Sequence, residues 1–259
     1  VRRAEIRRLC TRHQSPEWFD RQIQALPPTY LQGEDPGEVA GFLGHLQGLD
    51  SMSAVVWARY LKDRNAVQFT VGAYDQLTPG IFHKLTGALT SQGLEILAAD
   101  IHTLEDGLVL DRFFVHDPDY SGPPPGDRLQ KVRECLVGAL TAPATSSPTF
   151  RRMWRAGSNQ SAARRSLLPT RVLVDNENSE SHTIIDVFAH DRRGLLYTIT
   201  RTLFELGTSV WVAKIGTYMD QVVDVFYVTD AEGDKIVEEG TLEGIRSRLL
   251  EAIEEVNAD

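Results

Sequence analysis

One segment occurs twice in this chain: Ser53 to Leu140 can be laid over Pro169 to Ile253. At a shift of 114 residues Gly80 falls on Gly194, Leu89 on Leu203, Gly93 on Gly207, Ala99 on Ala213, Ile101 on Ile215, Thr103 on Thr217 and Asp106 on Asp220. After one deleted residue the shift becomes 113, and Asp111, Phe113, Val115 and Asp117 meet Asp224, Phe226, Val228 and Asp230. A solenoid repeats every 20 to 50 residues or so, and a longer period means two copies of one small domain. The 259 residues suffice for two such domains, each with a core of its own.

Each copy alternates strands and helices. In the second, Arg171 to Asp175 and Thr183 to Ala189 have the β-branched alternation of paired strands, joined by a polar turn. Leu195, Ile199, Leu203 and Leu206 then recur at helical spacing until Gly207 ends the helix. Val210 to Thr217 and Val222 to Thr229 predict a hairpin, and Leu242, Ile245, Leu249, Ile253 and Val256 mark a last amphipathic helix. The first copy repeats this order with strands at Ala54 to Leu61, Ala66 to Tyr74, Leu94 to Thr103 and Leu108 to His116. Its helices carry Ile81, Leu85 and Leu89, and then Leu129, Val132, Leu136 and Leu140.

The order ββαββα is that of an α+β, ferredoxin-like sheet in circularly permuted form. The common order, βαββαβ, closes its sheet with a strand after the last helix. Here the strand that precedes the rest, Arg171 to Asp175 or Ala54 to Leu61, is the candidate for that place. A strand exchanged from a neighbouring copy would satisfy the same count.

Four regions follow: a helical connector over 1–52, a first domain over 53–141, a Ser/Pro/Arg linker over 142–169 and a second domain over 170–259. In the connector, Arg2 to His13 reads as a helix, Ser15-Pro16 caps and starts another to Ala25, and Pro36 to Leu46 is a third. Lacking an initiating Met, this region is expected to be the edge of a longer protein. The linker holds Arg151, Arg152, Arg155, Arg164 and Arg165 with no acidic residue, and one short helix is expected after Pro148. A solvated loop and a docking strip for an acidic surface or anionic ligand would both use such arginines.

Composition excludes several classes. A net charge of −9 gives no footprint for nucleic acid. No apolar run approaches the roughly 18 residues of a membrane span, and the N-terminus lacks the apolar stretch of a signal peptide, so a cytoplasmic protein is expected. Cys10 and Cys135 have no partner spacing and suggest neither a disulfide nor a thiolate metal site.

The turn Asp191-Arg192-Arg193-Gly194-Leu195 is the most chemically suggestive site. It joins a strand to a helix start, where unpaired N–H groups and the positive end of the helix dipole can hold a carboxylate. Asp191 could accept from an ammonium group or simply cap the helix, and Gly194 could admit a ligand or simply tighten the turn. An α-amino acid carries one charge of each sign and suits such a place.

These residues also carry a family resemblance. DRRGLLYTITRTLFELG followed by VAKIGTYMDQVVDVFYVTD closely resembles an ACT domain, and more narrowly the last ACT domain of the PII uridylyltransferase/uridylyl-removing enzymes. LTPGIFHKLTGALTSQGLEILAADIHTLEDGLVLDRFFVHD resembles the penultimate one, and ALPPTYLQGEDPGEVAGFL resembles the connector that leaves the HD domain. In that family a magnesium-dependent nucleotidyltransferase domain uridylylates the PII signalling protein, an HD domain removes the group, and the ACT pair senses glutamine. The resemblance implies a glutamine-sensing regulatory region whose partners are L-glutamine, the catalytic domains of a parent chain, PII protein through that parent, and a second ACT domain within or between chains. A free-standing ACT-repeat protein that binds another amino acid is the alternative.

No catalysis and no cofactor are expected from this chain itself. Gly157-Ser158 is not followed by the Asp-x-Asp pair that holds magnesium at a triphosphate, and Asp117-Pro118-Asp119 has no Gly-Ser before it. His116-Asp117 and His190-Asp191 spell the HD doublet without a second His at ligand spacing. In paired ACT domains the effector lies where the turn of one domain faces a strand of the other. The resemblance therefore adds Ala213, Lys214 and Ile215, and in the first copy Ala99, Asp100 and Ile101, to the candidate site. The first turn departs from the pattern: Leu77 stands where the second has Asp191, and Asp75 would have to replace it beside Thr78, Pro79 and Gly80.

Overall fold

The computed structural model describes residues 2–10, 15–26, 30–31, 35–142, 169–192, 194–218 and 221–258. Nearly all of the linker, including the helix expected after Pro148, lies outside the described residues. The chain begins with helices α1 (Arg2–Cys10), α2 (Pro16–Ala25) and α3 (Pro36–Leu46). The third is capped by Asp35, whose carboxylate accepts from the N–H groups of Gly37 and Glu38 at 2.8 and 3.2 Å.

The first repeat comprises β1 (Ala54–Leu61), β2 (Ala66–Tyr74), α4 (Ile81–Ser91), β3 (Glu95–Asp100), β4 (Leu108–His116) and α5 (Gly126–Thr141). The second comprises β5 (Arg171–Asp175), β6 (Thr183–His190), α6 (Leu195–Glu205), β7 (Ser209–Lys214), β8 (Thr217–Tyr218), β9 (Gln221–Thr229) and α7 (Glu239–Ala258). All strands join one antiparallel sheet in the order β1-β2-β4-β3-β7-β9-β6-β5, with β8 beside β9. The edge strands β1 and β5 take the closing places, so each half is the permuted ferredoxin-like sheet that the sequence predicts, completed from its own chain. The halves meet at one register pair, Asp100 against Lys214, which are equivalent positions of the repeat.

Two of the expected strands are shorter. The strand predicted from Val210 to Thr217 ends at Lys214 and resumes as β8, and the one predicted from Leu94 to Thr103 ends at Asp100, with Thr103 returning as a lone bridge to Val109. A buried carboxylate makes each break. Asp224 accepts the N–H of Gly216 at 3.2 Å, and its counterpart Asp111 accepts that of His102 at 3.4 Å, which takes both amides out of regular strand pairing.

Burial along the strands shows where the layers lie. In β9 buried residues alternate with more accessible ones, as one covered face requires, whereas β2 is buried from Ala66 to Ala73. The second cover comes from the connector. Ile6, Phe19, Leu26, Tyr30, Leu43 and Leu46 pack with Leu104, Leu108 and Leu110 into a core separate from the main one. At Gly72 a Cβ would lie 2.2 Å from Leu46 Cδ2, so the strand needs a glycine there for α3 to sit on it. A polar chain runs beneath: Arg59 reaches Glu38 and, at 2.9 Å, Gln68, whose amide donates to Thr70 at 3.2 Å. No described helix is long and apolar enough to cross a membrane.

Candidate functional site

The turn from β6 to α6 is tight and open. Leu195 N–H donates to Arg192 O at 3.1 Å and Thr198 N–H to Gly194 O at 2.9 Å, so the helix starts one residue after the glycine. Gly194 is the N-cap, with φ 84° in the left-handed region where residues with a Cβ are strained. Asp191 therefore stands three residues before the cap position and does not occupy it. Apart from its neighbours along the chain, no described residue comes within 4 Å of where a Cβ on Gly194 would point. Asp191 and Arg192 are exposed, the Leu195 side chain is buried in the main core, and Arg193 lies outside the described residues.

The turn from β2 to α4 shares the left-handed glycine at the cap but has different surroundings. Gly80, with φ 69°, is again the N-cap, and Lys84 N–H donates to its carbonyl at 3.2 Å. A Cβ on Gly80 would lie 2.3 Å from His83 Cε1 and 2.8 Å from Phe204 Cδ2. Thr78 is buried and takes a hydrogen bond from Lys84 Nζ, while Pro79 is exposed. Burial pushes the Lys84 ammonium below its ordinary pKa. Asp75 rests on the next turn, since a Cβ on Gly107 would meet its Oδ1 at 2.6 Å.

The expected walls divide by side-chain direction. Ala99, Ile101, Ala213 and Ile215 are buried in the main core and can offer a ligand only backbone. Asp100 accepts from Arg112 at 2.8 Å, and the Arg112 guanidinium lies 3.9 Å over the ring of Tyr30 in the connector. Lys214 is exposed and sits 5.4 Å over Tyr227. Of the two turns, the one at Gly194 is open and the one at Gly80 is filled by His83 and Phe204.

Sequence reasoning missed Asp111 and Asp224, both 1% exposed and equivalent in the repeat. Burial pushes each up to about 8, opposed by the backbone hydrogen bond it accepts; Asp191 raises Asp224 further, which links the exposed turn to the buried acid. Asp111 Oδ2 has no hydrogen-bond partner. The signal was present: an aspartate stands at the same place within an apolar strand of both copies, in VLDRFFV and VVDVFYV.

The first His-Asp doublet is already paired with other side chains. Asp117 is buried in an ion pair with Arg128 at 2.8 Å, and His116 Nδ1 lies 3.1 Å from Glu95. Among the described residues no three His, Cys, Asp or Glu side chains group so as to hold a metal.

Two ferredoxin-like units sharing one sheet, each with a glycine turn at its first helix, define the ACT class of domains, and residues 171–256 match the family described as "ACR9-like, ACT-like domain". Over most of its length the chain is similar to bifunctional uridylyltransferase/uridylyl-removing enzymes. That of Azospirillum brasilense is 37% identical over 245 residues, 93% of this chain and 26% of the relative. That of Rhodospirillum rubrum is 35% identical over 175 residues, 68% of this chain and 18% of the relative. That of Cereibacter sphaeroides is 31% identical over 258 residues, 98% of this chain and 27% of the relative. The chain belongs with the ACT-domain region of these enzymes and spans 18% to 27% of the length of the three.

Proposed function

We propose that this chain is a regulatory, amino-acid-sensing region and that its effector is L-glutamine, bound at the turn of the second copy. The observation that carries the reading is the open space at Gly194, at the start of a helix whose first N–H groups are free of intrahelical partners. The effector carboxylate would take those beyond Leu195, whose own N–H already donates to Arg192 O, and Asp191 would accept from its ammonium group. A neutral side-chain amide suits a turn with a carboxylate at its mouth better than the second carboxylate of glutamate does.

In this reading the chain does no chemistry of its own. Uridylyl transfer to and from PII protein, with its magnesium, would belong to catalytic domains of a parent enzyme, which the effector-bound ACT pair would control. The connector offers a route for that control. Tyr30 lies under Arg112, Arg112 holds Asp100, and Asp100 stands at the join between the two halves of the sheet.

Calorimetric titration tests the assignment. L-glutamine should bind with a dissociation constant of roughly micromolar to millimolar, as suits a small ligand held by a few hydrogen bonds, and glutamate more weakly. Silence with glutamine at several millimolar, without a rise in melting temperature, would refute it. Supplied with UTP, magnesium and PII protein, the chain alone should transfer no uridylyl group.

A further inference from the structure

The two glycine turns are equivalent in sequence but not in their surroundings. Across the local two-fold that relates the copies, the first helix of the second copy comes against the first turn. Opposite Gly80 stands Phe204, and His83 closes onto it, the rings stacked at 4.5 Å with planes 29° apart. The counterpart of Phe204 is Thr90, and that of His83 is Tyr197. Thr90 turns its hydroxyl back onto Thr86 O at 2.8 Å, Tyr197 interacts with Arg201, and neither reaches the space beside Gly194. The aromatic stack that fills one turn therefore has no equivalent at the other.

We propose that the His83–Phe204 stack is a plug that closes the first turn to an amino acid and leaves one effector site per chain, at the second turn. The proposal rests on the amino-acid reading above. An effector carboxylate must come against the backbone at the glycine, and at Gly80 that approach is filled by the imidazole edge and the Phe204 ring. The other requirement is missing too, because Leu77 stands in the place of Asp191 and Asp75 rests on Gly107. The plug does not open by protonation near neutral pH. Burial pushes His83 down to about 4, helped by Lys84 and Arg201 and opposed by Glu205. Its buried Nδ1 has no hydrogen-bond partner, so packing rather than a polar bond holds the ring in place.

The test is the stoichiometry of L-glutamine binding by calorimetry. The unaltered chain should bind one equivalent, and Gly194→Val should remove it. In the Gly194→Val background, Phe204→Thr with His83→Ala and Leu77→Asp should restore one equivalent, at least tenfold weaker. Phe204 is 39% exposed, so its replacement should leave the fold intact, and circular dichroism checks this for every variant. Two equivalents in the unaltered chain would overturn the plug while leaving the amino-acid reading standing. So would Gly194→Val with full binding, or a folded, unplugged chain that binds nothing. If neither the unaltered nor the unplugged chain binds any free amino acid, the amino-acid reading itself falls and takes the plug with it.

Discussion

Thr86 and Thr200, 114 residues apart, meet hydroxyl to hydroxyl at 3.0 Å where α4 crosses α6. They are the same position of the two copies, so the local two-fold axis runs between them. Each hydroxyl also lies 2.9 Å from a carbonyl of its own helix, that of His83 or of Leu196. Asp100 and Lys214 mark the same axis in the sheet below. The duplication seen in the sequence is thus the symmetry of the fold, and the copies pair with each other inside one chain.

The threonine pair should contribute measurably to that pairing. In a double-mutant cycle with Thr86→Val and Thr200→Val, urea unfolding should give a coupling of about 0.5–1.5 kcal/mol, the usual worth of a neutral buried hydrogen bond. Strict additivity would mean that the two hydroxyls are satisfied by their own helices and that packing alone joins the halves.

Asp111 and Asp224 should make stability fall as pH rises. Both have folded pKa values raised from 3.8 to about 8, so the stability they contribute is fully present below about pH 4 and is lost as pH rises toward 8. Asp111→Asn with Asp224→Asn should flatten the profile between pH 5 and 8 by at least about 1.4 kcal/mol, the equivalent of one pKa unit. A profile as steep as that of the unaltered chain would show that both carboxyls are ionised in the fold.

Gly72→Val should loosen the connector. The added side chain meets Leu46 and, at 3.2 Å, Val55 Cγ1, and such overpacking costs about 1–3 kcal/mol. Amide exchange in α3 should accelerate more than in α6. Gly41→Ala is the control, because nothing lies within 4 Å of its Cβ position, and it should be neutral or stabilising. Equal exchange in α3 and α6 would mean that the helices do not depend on this contact.

The repeat and the alternation of apolar residues made the two sheets legible, because a strand with one covered face writes that face into every second residue, as β9 does. The break after Lys214 was not legible. It depends on a carboxylate from Asp224 that reaches Gly216 across the sheet, and periodicity carries no trace of such a bond. Nor could the helical pattern of the connector say what its apolar stripe covers; Tyr30 and Leu46 find their partners in Arg112 and near Gly72 only after folding. Gly80 and Gly194 read alike in the sequence, and the ring that distinguishes them, Phe204, comes from the other copy. Leu77 in the place of Asp191 was a visible sign of asymmetry.

Asp191→Ala should weaken glutamine binding more than Asp75→Ala does. Removing the acceptor of a charge-assisted hydrogen bond costs about 1.5–3 kcal/mol, or roughly tenfold to a hundredfold in affinity. The melting temperature should change little, because the cap position of α6 belongs to Gly194 and not to Asp191. Asp75→Ala should shift affinity less than about twofold on the same scale, since its carboxyl rests on Gly107. Titrations at a temperature where all three proteins are folded decide the matter. An equal or larger loss from Asp75→Ala would move the effector to the first turn and refute the assignment to Gly194.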